Sequence, residues 1–314
     1  MEYLLFILGF TLLIGGATML IEGAKVIGKK LGIPPAITGL TIVAIGTSLP
    51  ELIINVFASY SGNTDLAISN VLGSNIINIL VIIGLTAVIS PIPILKHTYY
   101  RDIPFSLFAI GALFVVVQDK IILGREANVV GFNDGVVFVG MLLVFLYIYY
   151  RSSKETVEEK KTKSKYPLWL AILFVLIGIT GLYFGGEWIV DGAVFVAADL
   201  GMDEATIGLT IIAMATSLPE LVTSIIASIQ KEPEMAIGNA VGSCIFNILL
   251  VLGISSIISP LPFQAGSILD MIVVLIATVT LVVFVYTGRG RKISRVEGGL
   301  MLLMYGGYVW WLLS

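Results

Sequence analysis

Apolar positions run almost without interruption through this chain, in stretches of about 15 to 27 residues parted by short polar breaks. Five stretches fill the first half, at residues 3–21, 35–61, 66–89, 103–117 and 134–150. Five more fill the second, at 168–186, 204–230, 235–258, 268–287 and 296–313. The strands of a membrane barrel would alternate apolar and polar positions over about ten residues. These stretches are apolar all round and twice that length, so they predict an all-α membrane protein with ten transmembrane helices. Ahead of the first stretch stands only Glu2, with no basic segment, and no small-residue cleavage site follows it. It is therefore expected to be a retained span rather than a signal peptide.

Polar positions inside the stretches recur. ITGLTIVAIGTSLPEL at residues 37–52 returns as IGLTIIAMATSLPEL at 207–221, an offset of 169. Held without a gap from 39–93 against 208–262, that offset gives 27 identities in 55 positions. The chain thus divides into a first five-helix repeat at 1–150, a charged linker at 151–166 and a second five-helix repeat at 167–314. Because five is odd, the second repeat is expected to enter the membrane from the opposite side, as two inverted repeats. Charge supports this count. With the linker inside, 16 of the 18 basic residues fall on the inner side and only Lys120 and Arg125 outside. The positive-inside rule then places both termini outside and the central loop in the cytoplasm.

Composition agrees: 57% of residues are hydrophobic, 12% are charged and mean hydropathy is +1.01, beyond the range of a water-soluble domain. One cysteine and one histidine, Cys244 and His97, exclude a disulfide framework and argue against a zinc or iron centre. No resident cofactor is expected.

Two acidic residues lie deep in apolar runs, Glu51 and Glu220, at matching positions of the repeat. A carboxylate at the bilayer centre costs at least about 2.5 kcal/mol on insertion scales and normally marks an ion pathway. The plain alternative is a protonated glutamate that glues helices together, an explanation weakened by the pairing. Pro50 and Pro219 precede the acids and cannot donate to the carbonyls of Gly46 and Ala215. Freed carbonyls are expected around 44–47 and 213–216, where a cation could satisfy them; an ordinary proline kink is the alternative. Thr47, Glu51 and Asn55 fall at i, i+4 and i+8, as do Thr216, Glu220 and Ser224, so each set shares a helix face. In the next span Asn70, Ser74 and Asn78, and Asn239, Ser243 and Asn247, repeat that spacing. Such stripes also serve as interhelical hydrogen-bond glue, the expected role of Asn70 and Asn239.

Two carboxylates, neutral oxygens and no Lys, Arg or His within the spans describe a hard-cation site. Calcium takes six to eight oxygens at ~2.3–2.6 Å and tolerates irregular geometry, whereas magnesium dehydrates reluctantly. Two glutamates neutralise one Ca²⁺ or two Na⁺, so the ions should compete for overlapping positions. A further Na⁺ would make the cycle electrogenic.

These residues resemble the sodium/calcium exchanger family of the cation/calcium antiporter superfamily. GTSLPE at 46–51, ATSLPE at 215–220, GSNIIN at 73–78 and GSCIFN at 242–247 are similar to that family's paired repeats. The resemblance implies antiport of Na⁺ for Ca²⁺ across the cell membrane by alternating access, the first and sixth spans sliding over the other eight. It implies that Glu51, Glu220 and the backbone carbonyls of Thr47 and Thr216 bind Ca²⁺. Ser48, Ser217, Ala44, Ala213, Ser74, Ser243, Asn78 and Asn247 would line flanking sodium positions. Neutral Asn78 and Asn247 argue against potassium dependence. GNAVGS at 238–243 and SNVLGS at 69–74 depart from the GNxxE-type motif of proton/calcium exchangers. The short linker leaves no room for the regulatory domain of animal exchangers. The expected partners are Ca²⁺, Na⁺ and the lipid bilayer, with no nucleic acid and a monomer as the working unit. The alternatives are an H⁺/Ca²⁺ or other cation/Ca²⁺ antiporter, a passive cation channel and an intramembrane enzyme. The last has neither an HExxH motif nor a Ser/His pair.

Overall fold

The computed structural model describes residues 2–118, 124, 127–155, 166–199, 213–287 and 292–313. It is a helical membrane protein. The helices are α1 (Glu2–Leu31), α2 (Pro35–Thr47), α3 (Leu49–Tyr60), α4 (Thr64–Ile89), α5 (Thr98–Val116) and α6 (Phe132–Glu155). Then follow α7 (Leu168–Asp199), α8 (Ala213–Ala215), α9 (Leu218–Ile229), α10 (Pro233–Ile258), α11 (Ala265–Thr287) and α12 (Arg295–Leu313). Among the described residues seven helices are long and apolar enough to cross a membrane, and α2 with α3, bent by 43° at Ser48, makes an eighth. The remaining predicted stretches correspond to α9, 12 residues long, and α12, 19 residues long. Residues 200–212, where the stretch at 204–230 begins, lie outside the described residues, as do Lys120, Arg125 and linker positions 156–165.

Burial sorts the helices into layers. In α4 and α10, 78% of the spanning window is buried in protein, against 33% in α1 and 22% in α7. α4 and α10 therefore form the core, and their apolar side chains, among them Ile76, Leu80, Phe246 and Leu249, are almost fully buried. α1 and α7 pack along each other on the outside. A Cβ on Gly16 would meet the Gly178 carbonyl at 2.8 Å, and one on Gly178 would meet the Leu20 nitrogen at 2.6 Å. The two backbones touch, as small residues allow in membrane helix pairs.

Both core helices end the same way. Ser90 (φ −144°, ψ 121°) and Ser259 (φ −148°, ψ 137°) are extended, because each precedes a proline, which disfavours the helical region at the residue before it. The mirrored segments that follow form β1 (Ile92–Pro93) and β3 (Leu261–Pro262). β1 pairs antiparallel with β4 (Lys292–Ile293), and β3 with β2 (Val129–Val130). The Ser-Pro-x-Pro echo in the sequence thus builds two clips, each joining one half of the chain to the other.

Candidate functional site

Ser48 (φ −87°, ψ 5°) and Ser217 (φ −90°, ψ 2°) interrupt the helix at matching places, and a new helix begins at the next residue. The prolines are therefore not kinks within a continuous helix. Pro50 and Pro219 occupy the first turn of α3 and α9, where a missing N–H is one that the helix leaves free anyway. Glu51 and Glu220 fall in that same first turn, at the positive end of the helix dipole. SLPE at 48–51 and 217–220 reads as a Ser-x-x-Glu capping box, a signal of a helix start that the kink interpretation passed over. Neither serine caps its helix.

The opened backbone is narrower than expected. The Ala44 carbonyl keeps its helical partner, the Ser48 N–H at 3.0 Å, and also accepts from Thr47 Oγ1 at 3.3 Å. The carbonyls of Gly46 and Ala215 are the ones whose helical partners are prolines.

Glu51 and Glu220 are both fully buried, and their carboxyl groups face each other. Glu220 Oε1 accepts from Ser48 Oγ at 3.0 Å and Ser243 Oγ at 3.5 Å, and these two hydroxyls are 3.1 Å apart. Among the described residues nothing donates to Glu220 Oε2, to either oxygen of Glu51, to Asn78 Oδ1, Asn247 Oδ1 or Ser217 Oγ. These are six buried oxygens, on residues whose side chains are at most 1% exposed, and buried polar atoms in folded proteins are otherwise paired.

The remaining predicted residues divide into two groups. Thr47 and Thr216 spend their hydroxyls on the framework: Thr47 Oγ1 donates to Asn239 Oδ1 at 3.2 Å and Thr216 Oγ1 to Asn70 Oδ1 at 3.0 Å. Ser74 Oγ lies 3.4 Å from Thr216 Oγ1. Asn70 Nδ2 then donates to Asn55 Oδ1 at 2.6 Å, and Asn239 Nδ2 to Ser224 Oγ at 3.0 Å. Asn70 and Asn239 act as glue, each tying its own half to a threonine of the other. Ser48 and Ser243 donate to Glu220 instead, while Ser217, Asn78 and Asn247 are buried, each with a side-chain oxygen that has no partner among the described residues. Ala44 is fully buried against α10, and Ala213 opens α8.

Glycines bring the α2 break to α10. A Cβ on Gly238 would collide with the Ala36 carbonyl, and one on Gly242 would meet the Leu40 carbonyl at 2.5 Å and Ala44 Cβ at 2.8 Å. That contact sets Ser48 against Ser243. The helix also widens at the site, because a π-helical segment starts at Ile77 in α4 and at Asn247 in α10. Such segments shift side chains out of α register and cluster at functional sites.

A cavity of about 280 Å³ reaches Pro50, Thr216 and Pro219 and is lined on α7 by Glu187 and Asp191. Both acids lie inside the 30-residue apolar helix Leu168–Ala197. α7 thus continues well past residue 186, and its two exposed acids, Glu187 and Asp191, stand on the cavity wall.

Residues 1–151 and 170–314 match the family described as sodium/calcium exchanger protein. The inner membrane protein YrbG of Escherichia coli is 32% identical over 98% of this chain and 94% of its own. The sodium/calcium exchanger MaX1 of Methanosarcina acetivorans is 28% identical over 98% and 94%. A solved structure of the sodium-calcium exchanger NCX_Mj, soaked with zero Na⁺ and Ca²⁺, superposes with a TM-score of 0.82 at 31% identity, covering 99% of this chain and 98% of that one. The repeated SLPE segments, the facing carboxylates and a likeness that runs end to end agree: the chain belongs to the sodium/calcium exchanger family, a family of membrane antiporters and not of enzymes.

Proposed function

We propose that the protein exchanges Na⁺ for Ca²⁺ across the cell membrane, the two ions competing for oxygens around Glu51 and Glu220. The observation that carries this reading is the set of six buried oxygens without donors, among the described residues, on Glu51, Glu220, Ser217, Asn78 and Asn247. Six is the lower bound of calcium's usual coordination, and sodium is nearly the same size. Two negative charges match one Ca²⁺ or two Na⁺, and such mutual exclusion is what exchange requires. Ser48, Ser217, Ser74, Ser243, Asn78 and Asn247, with the backbone at Ala44, Thr47, Ala213 and Thr216, complete the proposed ligand set. The Ala44 carbonyl, already bonded to the Ser48 N–H, is its weakest member. Sodium is favoured over protons as the coupling ion by GNAVGS at 238–243 and SNVLGS at 69–74, which depart from the GNxxE-type motif of proton/calcium exchangers.

The proposed topology has ten spans in two inverted repeats, 1–150 and 167–314, joined by a cytoplasmic linker at 151–166, with both termini outside. It works as a monomer, since both halves of the site come from one chain. Alternating access is proposed to move α1 and α7 together against the rest, and the backbone contact at Gly16 and Gly178 supports their acting as one body.

The test is radiocalcium uptake into proteoliposomes loaded with sodium. Uptake is expected to follow the outward sodium gradient and to ignore an imposed pH gradient. Uptake that follows pH and ignores sodium would make the protein a proton-coupled exchanger, and flux that needs no counter-ion would make it a channel.

A further inference from the structure

Asn75 and Cys244 hold the same position in the two halves, 169 residues apart, and they meet across the contact between α4 and α10. Both are fully buried. Asn75 Nδ2 donates to the Cys244 carbonyl at 3.5 Å, and Cys244 Sγ contacts the Asn75 carbonyl at 3.9 Å. Asn75 Oδ1 in turn accepts from Asn247 Nδ2 at 3.2 Å. Asn247 Oδ1 is buried with no donor among the described residues.

The polarity of this chain of bonds follows from its first member. A backbone carbonyl can only accept, so Asn75 must turn its NH₂ towards Cys244. Its oxygen is then left to face Asn247, and that oxygen can only accept as well. Asn247 is thereby obliged to offer its own NH₂ and to keep its oxygen on the other side. The matching residue of the first half has no such guide: where Asn247 finds an Asn75 side chain, Asn78 would have to find that of Cys244. Both Asn78 Oδ1 and Asn78 Nδ2 are without partners among the described residues.

We propose that Asn75 is a positioning residue, which reads the Cys244 carbonyl and fixes the Asn247 carboxamide with its oxygen towards the cation. The inference rests on the reading of Asn247 as a ligand. Its consequence is that Asn247 is presented as an acceptor before any ion arrives, while the Asn78 amide must be ordered by the ion itself. Preorganisation of this kind raises affinity by removing the ordering cost at binding.

The experiment compares wild type, Asn75→Ala, Asn247→Asp and the double variant in proteoliposomes, measuring half-saturating Ca²⁺ and maximal rate. A carboxylate presents an oxygen whichever way it turns, so Asn247→Asp removes the need for a guide. Asn75→Ala is expected to raise half-saturating Ca²⁺ by about 3- to 10-fold, the worth of one net hydrogen bond, with a maximal rate within about twofold. In the Asn247→Asp background the same change is expected to move it by less than about twofold. An equal loss in both backgrounds would show that Asn75 acts through packing alone and would overturn the proposal. If Asn247→Asp by itself left the half-saturating concentrations of both ions unchanged, Asn247 would not be a ligand; that reading would fall, and this one with it. Should Asn75→Ala fail to fold, Asn75→Leu, which keeps the volume, takes its place in the same comparison.

Discussion

Glu51 and Glu220 stand at equivalent positions, equally buried and each in the first turn of a helix behind a broken backbone, yet their surroundings differ. Glu220 has one oxygen held by Ser48 from the other half and Ser243 from its own. Among the described residues Glu51 has no donor on either oxygen, and Ser217, the counterpart of Ser48, has an unpartnered hydroxyl. Identical residues therefore do different work. Two hydroxyls occupy one oxygen of Glu220, whereas on the proposed reading both oxygens of Glu51 are left for a cation. The cavity, by contrast, reaches both breaks, at Pro50 and at Thr216 and Pro219. On the proposed inverted arrangement, exchanging the two bonding patterns between the halves corresponds to the opposite access state. The difference between the glutamates is then a property of this conformation rather than of the sequence.

The largest expected effect tests what the two share. Glu51→Gln and Glu220→Gln each remove half the charge of a buried ion site, a loss of about 3–5 kcal/mol or more than about 100-fold. Sodium-driven calcium uptake should fall to background in both, with monodisperse protein in detergent. Activity within tenfold of wild type in either variant would remove that residue from the site. Next comes the contact that joins the halves. Gly242→Ala places a methyl against the Leu40 carbonyl and Ala44, and overpacking of this kind costs about 1–3 kcal/mol. It should lower the thermal midpoint of the protein in detergent and slow exchange, while Gly299→Ala, on a position with nothing within 4 Å, should do neither.

The layout of the molecule was legible in the sequence because it depends on terms that scale with length. Apolar runs, an offset of 169 and two buried charges are each larger than the local noise of side-chain choice. What escaped depends on which atom meets which. Ser48 and Ser217 read identically, and only the packing of α2 against α10 sends one hydroxyl to Glu220. The π-helical segments at Ile77 and Asn247 leave no mark on an apolar run, since their cause is tertiary. Glu187 and Asp191 lie beyond the hydrophobic stretch at 168–186, and an apolar run alone gives no sign that its helix continues through them to Asp199 with both acids exposed. The helix start at SLPE did have a local signature, and the kink interpretation overlooked it because Pro50 sits inside a long apolar run.

Asn247→Asp ranks below these, as it exchanges one oxygen donor for another. It should shift calcium half-saturation and introduce a dependence on pH, without abolishing transport; no change in either would place Asn247 away from the ions.

The smallest effect separates the frameworks behind the two glutamates. One helical turn past Glu51, Asn55 donates to the Ala67 carbonyl at 2.9 Å and accepts from Asn70 at 2.6 Å. The matching Ser224 makes the same two contacts with a shorter arm, to the Ala236 carbonyl at 3.5 Å and from Asn239 at 3.0 Å. Asn55→Ala removes two well-formed bonds, one to the Ala67 carbonyl, which keeps its helical partner, and one from the half-buried Asn70, each worth about 0.5–1.5 kcal/mol net. Ser224→Ala gives up one strong contact and one weak one, and Asn239 keeps a second acceptor, the Glu220 carbonyl at 3.4 Å. Asn55→Ala should therefore destabilise the protein more, read as the difference in thermal midpoint of the two variants. An equal or reversed order would mean that the serine half is the better-tied of the two, and that the looser environment of Glu51 does not stop at its carboxylate.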